Sequence, residues 1–167
     1  MSPLLESTRL SPGLSNVKDV RQRVLFVCIH NSARSQMAEA FLNQIGGKRF
    51  KARSAGLEPG RINPLVVEVM AEIGFDLSRN STQRAADLAS AGTPFDYVVT
   101  VCDESSAERC PVFAGMAKRL HWSFRDPSAV TGTHAEKLEA VREIRDLIQA
   151  RVQSWCDRVC PASAAAQ

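Results

Sequence analysis

The chain has 167 residues, 44% of them hydrophobic and 23% charged, with a formal net charge of +3. That length suits one domain, and the composition buries enough apolar surface to exclude wholesale disorder. No apolar run approaches the roughly 20 residues that span a bilayer. Residues 1–23 lack the apolar core of a signal peptide, so a cytoplasmic protein without a membrane partner is expected. Residues 1–83 hold 11 basic and 7 acidic side chains, and residues 84–167 hold 10 and 11. So mild an asymmetry suits a small anion and excludes the basic stripe of a nucleic-acid binder.

In chain order, residues 1–20 read as a flexible leader in which Ser, Pro and Gly recur. Val24-Leu25-Phe26-Val27 is a short continuous apolar run, as in a strand buried on both faces. A polar loop follows, from Ile29 to Ala33. Met37, Ala40, Phe41 and Ile45 then fall at helical spacing, and Gly46-Gly47 ends the pattern. Phe50 to Ser54 predicts a weaker strand, suited to a sheet edge. Asn63-Pro64 opens a second helix, with Leu65, Val66, Val69, Met70 and Ile73 on one face and Gly74 after it. Phe95 to Cys102 is the second strong strand, and Arg119 to Phe124 a fourth. From Thr133 to Pro161, Leu138, Val141, Ile144, Ile148, Val152, Trp155 and Val159 step by three and four along one long amphipathic helix. Residues 161–167 form a tail without core residues.

Strands alternating with helices predict a single α/β domain over residues 21–160. Its expected architecture is a doubly wound, four-stranded parallel sheet with helices on both faces. Ligands bind such sheets at the carboxyl ends of the strands. Cys28, with the loop after it, and Cys102 would both stand at that edge.

The loop reads Cys28-Ile29-His30-Asn31-Ser32-Ala33-Arg34-Ser35. A strand-to-helix loop offers unpaired backbone N–H groups and the positive end of the helix dipole, which suit a tetrahedral oxyanion. Arg34 adds a fork that holds two anion oxygens. In that field the thiolate of Cys28 is the stabilised form, and Ser35 can donate a hydroxyl hydrogen bond to it. One loop therefore binds an oxyanion, through residues 28–34, and sets a nucleophile beneath its central atom. His30 either tunes the Cys28 thiolate or shapes the loop.

Five cysteines, Cys28, Cys102, Cys110, Cys156 and Cys160, are an odd number and argue against a disulfide framework. Their spacing lacks the close ligand pairs of structural zinc, and no metal is expected. Reactive thiol chemistry is the better expectation. Cys156 and Cys160, one turn apart, are either an alternative resolving pair or helix cysteines without a catalytic role.

Val24 to Glu39, VLFVCIHNSARSQMAE, resembles the signature of the low-molecular-weight protein tyrosine phosphatase superfamily. Within it, Arg34-Ser35-Gln36-Met37-Ala38-Glu39 is similar to the arsenate reductases, where the phosphatases usually carry Pro at the place of Gln36. Ser54-Ala55-Gly56 and His121-Trp122-Ser123-Phe124, leading to Asp126-Pro127, also match. Ser128-Ala129 stand where tyrosine phosphatases carry aromatic side chains. The resemblance spans residues 23–158 and implies the phosphatase I-like fold.

It further implies reduction of arsenate to arsenite, a detoxification reaction, with phosphate or sulfate as competing anions. Asp126 would protonate the departing oxygen. Cys28 would attack arsenate. Cys102 would attack Cys28, releasing arsenite and leaving a Cys28–Cys102 disulfide. Cys110 would then draw the disulfide to Cys102–Cys110 for reduction by an external thiol, with no bound cofactor. Thioredoxin is the most similar donor. His30 is similar to the mycothiol-linked reductases, so mycothiol stays open beside thioredoxin and glutaredoxin or glutathione. Some superfamily members bind potassium with residues matching Asn31, Glu39 and Ser54, with Gln83 standing where a further carboxylate is found. A monomer is expected. Two alternatives stand: a tyrosine phosphatase working through phosphocysteine, and an anion- or redox-sensing binding protein without turnover.

Overall fold

The computed structural model describes residues 20–102 and 109–160. The expected leader at residues 1–20, apart from Val20, and the tail at 161–167 lie outside the described residues.

Four parallel strands form one sheet: β1 (Gln22–Cys28), β2 (Phe50–Gly56), β3 (Tyr97–Thr100) and β4 (Lys118–His121). Their order is β2-β1-β3-β4, so β2 is the edge strand its polar sequence predicts. The chain leaves β1 to one side for β2 and returns on the other side for β3. This order places the switch point between the carboxyl ends of β1 and β3, at Cys28 and Cys102.

Alternate residues of β1 point to two cores. Val24, Phe26 and Cys28 join one face, with Met37 and Phe41 from α1 (Arg34–Ile45), Val66, Val69 and Met70 from α2 (Pro64–Ala71), and Val141, Ile148 and Trp155 from α4 (His134–Val159). Leu25 and Val27 join the other, with Ala85 and Leu88 from α3 (Ala85–Ser90), Phe95, Cys110 and Phe113. Helices do cover both faces, but unequally. Among the described residues, three pack on the first face, while one six-residue helix and the 110–113 segment lie against the second. Trp155 ties the first core together, its ring centroid 5.0 Å from Phe50, 5.0 Å from Tyr97 and 5.9 Å from Trp122. No helix among the described residues is long and apolar enough to cross a membrane.

Local sequence explains most element ends. Asn63 Oδ1 accepts from Leu65 N–H at 2.9 Å, with Pro64 in the first helical position of α2. Thr133 Oγ1 accepts from Glu136 N–H at 3.1 Å and donates to Glu136 Oε1 at 3.1 Å, a reciprocal cap for α4.

Three sequence expectations need correction, and one helix has no counterpart among them. The third strand pairs only over Tyr97–Thr100, because Phe95 turns into the second core and Asp96 Oδ2 accepts from Arg23 N–H at 2.8 Å. The fourth strand is Lys118–His121 rather than Arg119 to Phe124; beyond it Trp122 N–H makes one last bond, 2.8 Å to Thr100 carbonyl, before the chain leaves the ladder. Ile73 is exposed rather than on the apolar face, because α2 stops at Ala71. Finally, α3 went unread. Its six residues bury only Ala85 and Leu88, too short a pattern to show a period.

Candidate active site

The residues between β1 and α1 form the centre of the site. Each carbonyl from Cys28 to Ala33 is held from outside the loop's concave face. Cys28 accepts from Leu57 N–H at 3.1 Å, Ile29 from Glu58 N–H at 2.7 Å, and His30 from Gly60 N–H at 2.9 Å. Asn31 accepts from Gln36 Nε2 at 3.1 Å, Ser32 from Asn63 N–H at 2.9 Å, and Ala33 from Met37 N–H at 3.0 Å. Among the described residues no group accepts from the N–H groups of His30 to Ser35. The N-cap of α1, Ala33, offers no side-chain cap. A helix start with several unmet donors and an inherent positive dipole is an anion site.

Asn31 sets the loop's curvature. Its φ of 55° is the one positive value at a non-glycine position among the described residues. Asn tolerates that left-handed conformation better than most residues. Its side chain is fully buried: Nδ2 donates to Ser35 Oγ at 2.8 Å, and Oδ1 accepts from Gln83 N–H at 3.0 Å. Ser35 Oγ, which accepts from Asn31, also lies 2.9 Å from Cys28 Sγ, and either of those two atoms can be the donor. The chain Asn31, Ser35, Cys28 links the buried amide to the sulfur and is compatible with the hydroxyl donation expected of Ser35.

Arg34 is buried, and one guanidinium nitrogen donates to Phe124 carbonyl at 3.1 Å. Its other terminal nitrogen stands 3.9 Å from Asp126 Oδ2. Asp126 caps the short 3-10 turn Pro127–Ala129, and its Oδ1 accepts from Ser128 N–H at 2.9 Å and Ser128 Oγ at 2.8 Å. One carboxylate oxygen is thus fixed and the other faces the Arg34 side of the loop. His30 Nδ1 lies 2.9 Å from Glu58 carbonyl, so of the two readings of His30 the geometry displays the loop-shaping one.

Cys102 is fully buried beyond β3, in the same core as Cys28, and the neighbouring Val101 N–H donates to Val27 carbonyl at 2.9 Å. Cys110 packs in the core on the opposite face, where burial pushes its thiol up against the opposing pull of Arg119. All five cysteines are outside disulfides. Of the polar run between Cys102 and Cys110, residues 103–108 lie outside the described residues. Cys156 and Cys160 are not brought to this edge at all. They line a cavity with Gly46, Gly47 and Phe50, at the opposite end of the strands.

Asn31, Glu39, Ser54 and Gln83 do stand together. Gln83 Nε2 donates to Ser54 carbonyl at 2.9 Å, and Ser54 donates to Glu39, whose carboxyl burial pushes upward. Yet Asn31 Oδ1 is already engaged by Gln83, and the Arg53 guanidinium donates to Gln83 Oε1 at 3.1 Å and attracts Glu39. The oxygens are taken and a side-chain cation is at hand, so this donor set does not suit potassium.

Two contributors escaped the sequence reading as structural parts. Gln36 is buried, donating to both Asn31 and Ser81 carbonyls at 3.1 Å while accepting from Asn80 Nδ2 at 3.0 Å. Gly56 lets β2 press on the loop: a Cβ there would lie 2.7 Å from Asn31 N and 2.8 Å from His30 C. Neither distant partner is visible in local pattern.

The profile of the low molecular weight phosphotyrosine protein phosphatase family matches residues 23–164. The chain belongs to that family. Among its curated relatives, an arsenate reductase of Bacillus subtilis (strain 168) is 38% identical over 134 residues, covering 80% of this chain and 94% of its own. A solved arsenate reductase in its oxidised state superposes with TM-score 0.67 and 28% identity, covering 80% of this chain and 95% of the other. Another, in a phosphate-binding state, gives 0.64 and 27%, covering 82% and 98%. The family shares the four-stranded parallel sheet described above.

Proposed function

We propose that this protein is an arsenate reductase that uses a three-cysteine relay. The observation that supports it best is the second thiol, Cys102. It is buried in the same core as Cys28, at the end of the strand hydrogen-bonded to β1. A phosphatase has no need of a thiol there. The names and extents of the similar reductases support the same reading.

Arsenate binds in the loop through the N–H groups of residues 29–34 and the Arg34 guanidinium. The Cys28 thiolate attacks arsenic, and an oxygen leaves as water with the proton of Asp126. Cys102 then attacks the Cys28 sulfur. The S–As electron pair stays on arsenic, which departs as As(III), and a Cys28–Cys102 disulfide forms. Cys110 attacks Cys102 and releases Cys28 as thiolate. An external dithiol of the thioredoxin type reduces the Cys102–Cys110 bridge. Cys110 packs in the opposite core, so it must move toward Cys102 during each turnover. No bound cofactor takes part.

The experiment mixes fully reduced protein with one equivalent of arsenate and no donor. Arsenite release with a mapped Cys102–Cys110 disulfide is expected. Brisk aryl-phosphate hydrolysis with no arsenite, with or without added thiols, would overturn the reading in favour of a phosphatase.

A further inference from the structure

The relay leaves two thiols unused. Cys160 N–H closes the last bond of α4 onto Cys156 carbonyl at 2.8 Å, so the two Cα atoms are one turn apart on one face. That face meets the turn between α1 and β2 across a cavity of about 480 Å³. The twelve residues of α1, roughly 18 Å at helical rise, separate this cavity from the anion loop. Its walls are suited to a small occupant beside sulfur. Gly46 has no side chain where a Cβ would come within 3.2 Å of Cys156 Sγ. Arg49 fixes the end of the helix by donating to Cys160 carbonyl at 2.6 Å.

The spacing selects the chemistry. Regular helix positions four apart hold their Cβ atoms about 5–6 Å apart, whereas a disulfide needs roughly 3.5–4.5 Å. Cys160 is the cap that ends α4, with φ −133° and ψ 77°, so its side chain can turn from the regular spacing, and a single atom bridging the two sulfurs asks less of the helix end than a direct S–S bond. Zinc wants four ligands, and the described residues hold no group of three or more His, Cys, Asp or Glu arranged for a metal. A trivalent metalloid hydroxide needs only two thiols and keeps one hydroxyl.

We propose that Cys156 and Cys160 chelate trivalent arsenic, forming a dithiol site separate from the anion loop. Two S–As bonds replace two As–OH bonds, and each thiol proton leaves with a hydroxyl as water. Arsenic stays As(III), and nothing is oxidised. Protonated thiols are the correct reactants, which agrees with burial holding Cys156 up at about 11. That the ligand is the enzyme's own product rests on the arsenate-reductase reading; the chelation itself does not.

The test uses sodium arsenite and the Cys28→Ser/Cys102→Ser/Cys110→Ser chain, read by native mass spectrometry and by tryptophan fluorescence, to which Trp155, one residue from Cys156, contributes with Trp122. One arsenic per chain is expected, with a fluorescence change. Adding Cys160→Ser, at a half-exposed position that tolerates the change, should weaken uptake at least 100-fold. Cys156→Ala, with its fold checked by circular dichroism, should do the same. No uptake by the three-serine chain, or uptake that survives Cys160→Ser, overturns the proposal. Cys160→Ser alone should leave arsenate turnover intact. If the unmutated chain fails to reduce arsenate while the three-serine chain still takes up arsenite, the functional reading falls and the dithiol site stands.

Discussion

Gly56→Ala tests how the anion loop is held. Three backbone atoms of the loop, Asn31 N, His30 C and Ile29 O, would lie 2.7, 2.8 and 2.9 Å from the new Cβ. None can swing aside as a side-chain tip would. Ordinary contact begins near 3.4 Å, so the loop must retreat by about 0.7 Å or β2 must shift. Overpacking of this kind costs typically 1–3 kcal/mol, which lowers Tm by roughly 3–10 °C in a chain of this size. Catalysis should suffer more. A misplacement near 1 Å costs on the order of 100-fold, and the shifted backbone includes the Asn31 N–H, one of those proposed to meet the anion. The expected result is a folded protein whose kcat/KM for arsenate, and for an aryl phosphate, falls about 100-fold. Steady-state kinetics beside a thermal melt would measure both. A kcat/KM within about threefold of the parent would refute the claim that β2 positions the loop.

Cys102→Ser should abolish catalytic arsenite release while sparing aryl-phosphate hydrolysis, and equal loss of both would contradict the division of labour between the thiols. Asp126→Asn should lower the rate of the first chemical step by roughly 10²–10⁴-fold, seen as slower single-turnover formation of arsenite, with little change in Tm. Ser35→Ala removes the hydrogen-bond partner of Cys28 and strands the buried Asn31 Nδ2; a loss of about 1–3 kcal/mol in denaturant unfolding should accompany the drop in activity. Glu39 is held above its ordinary 4.5 by burial, so the folded state binds that proton more tightly than the unfolded chain does. Its contribution to stability is present below 4.5 and is lost as pH rises through the raised value. Glu39→Gln should therefore flatten the fall in Tm across that window, and an unchanged pH profile of Tm would show that Glu39 is not its source.

The parts of this protein legible in the sequence are those set by near neighbours along the chain. The apolar run of β1, the cap at Thr133 and the polar segment from Cys28 to Ser35 each carry their cause within a few residues. The second core was harder. Among the described residues it draws on α3, with two buried apolar residues, and on the Cys110–Phe113 stretch, neither of which shows a sustained period. Strand ends were misjudged for a related reason. Phe95 is as apolar as Tyr97, but it packs against Phe113 at 5.5 Å instead of joining the ladder, a choice made by a residue 18 positions away.

The same distinction runs through the site itself. On the proposed mechanism Cys28, Arg34 and Ser35 supply the reacting and binding groups, and one short motif contains them. What makes that motif an anion receptor is the fate of its carbonyls. Leu57, Glu58, Gly60 and Asn63 take four of them, and Gln36 a fifth. A peptide plane has two ends; fixing each carbonyl outward commits the neighbouring N–H inward. The segment 57–63 therefore shapes the loop from behind, through its backbone N–H groups. Its backbone groups act regardless of most side chains they carry, which is why the residues of that segment look unremarkable as letters. Gly60 and Gly56 differ in this respect. A Cβ at Gly60 would meet His30 Cβ at an ordinary 3.6 Å, whereas one at Gly56 collides with backbone. Gly60→Ala should then leave activity nearly unchanged where Gly56→Ala does not, and equal damage from both would mean that the loop answers to the composition of the segment rather than to its contacts.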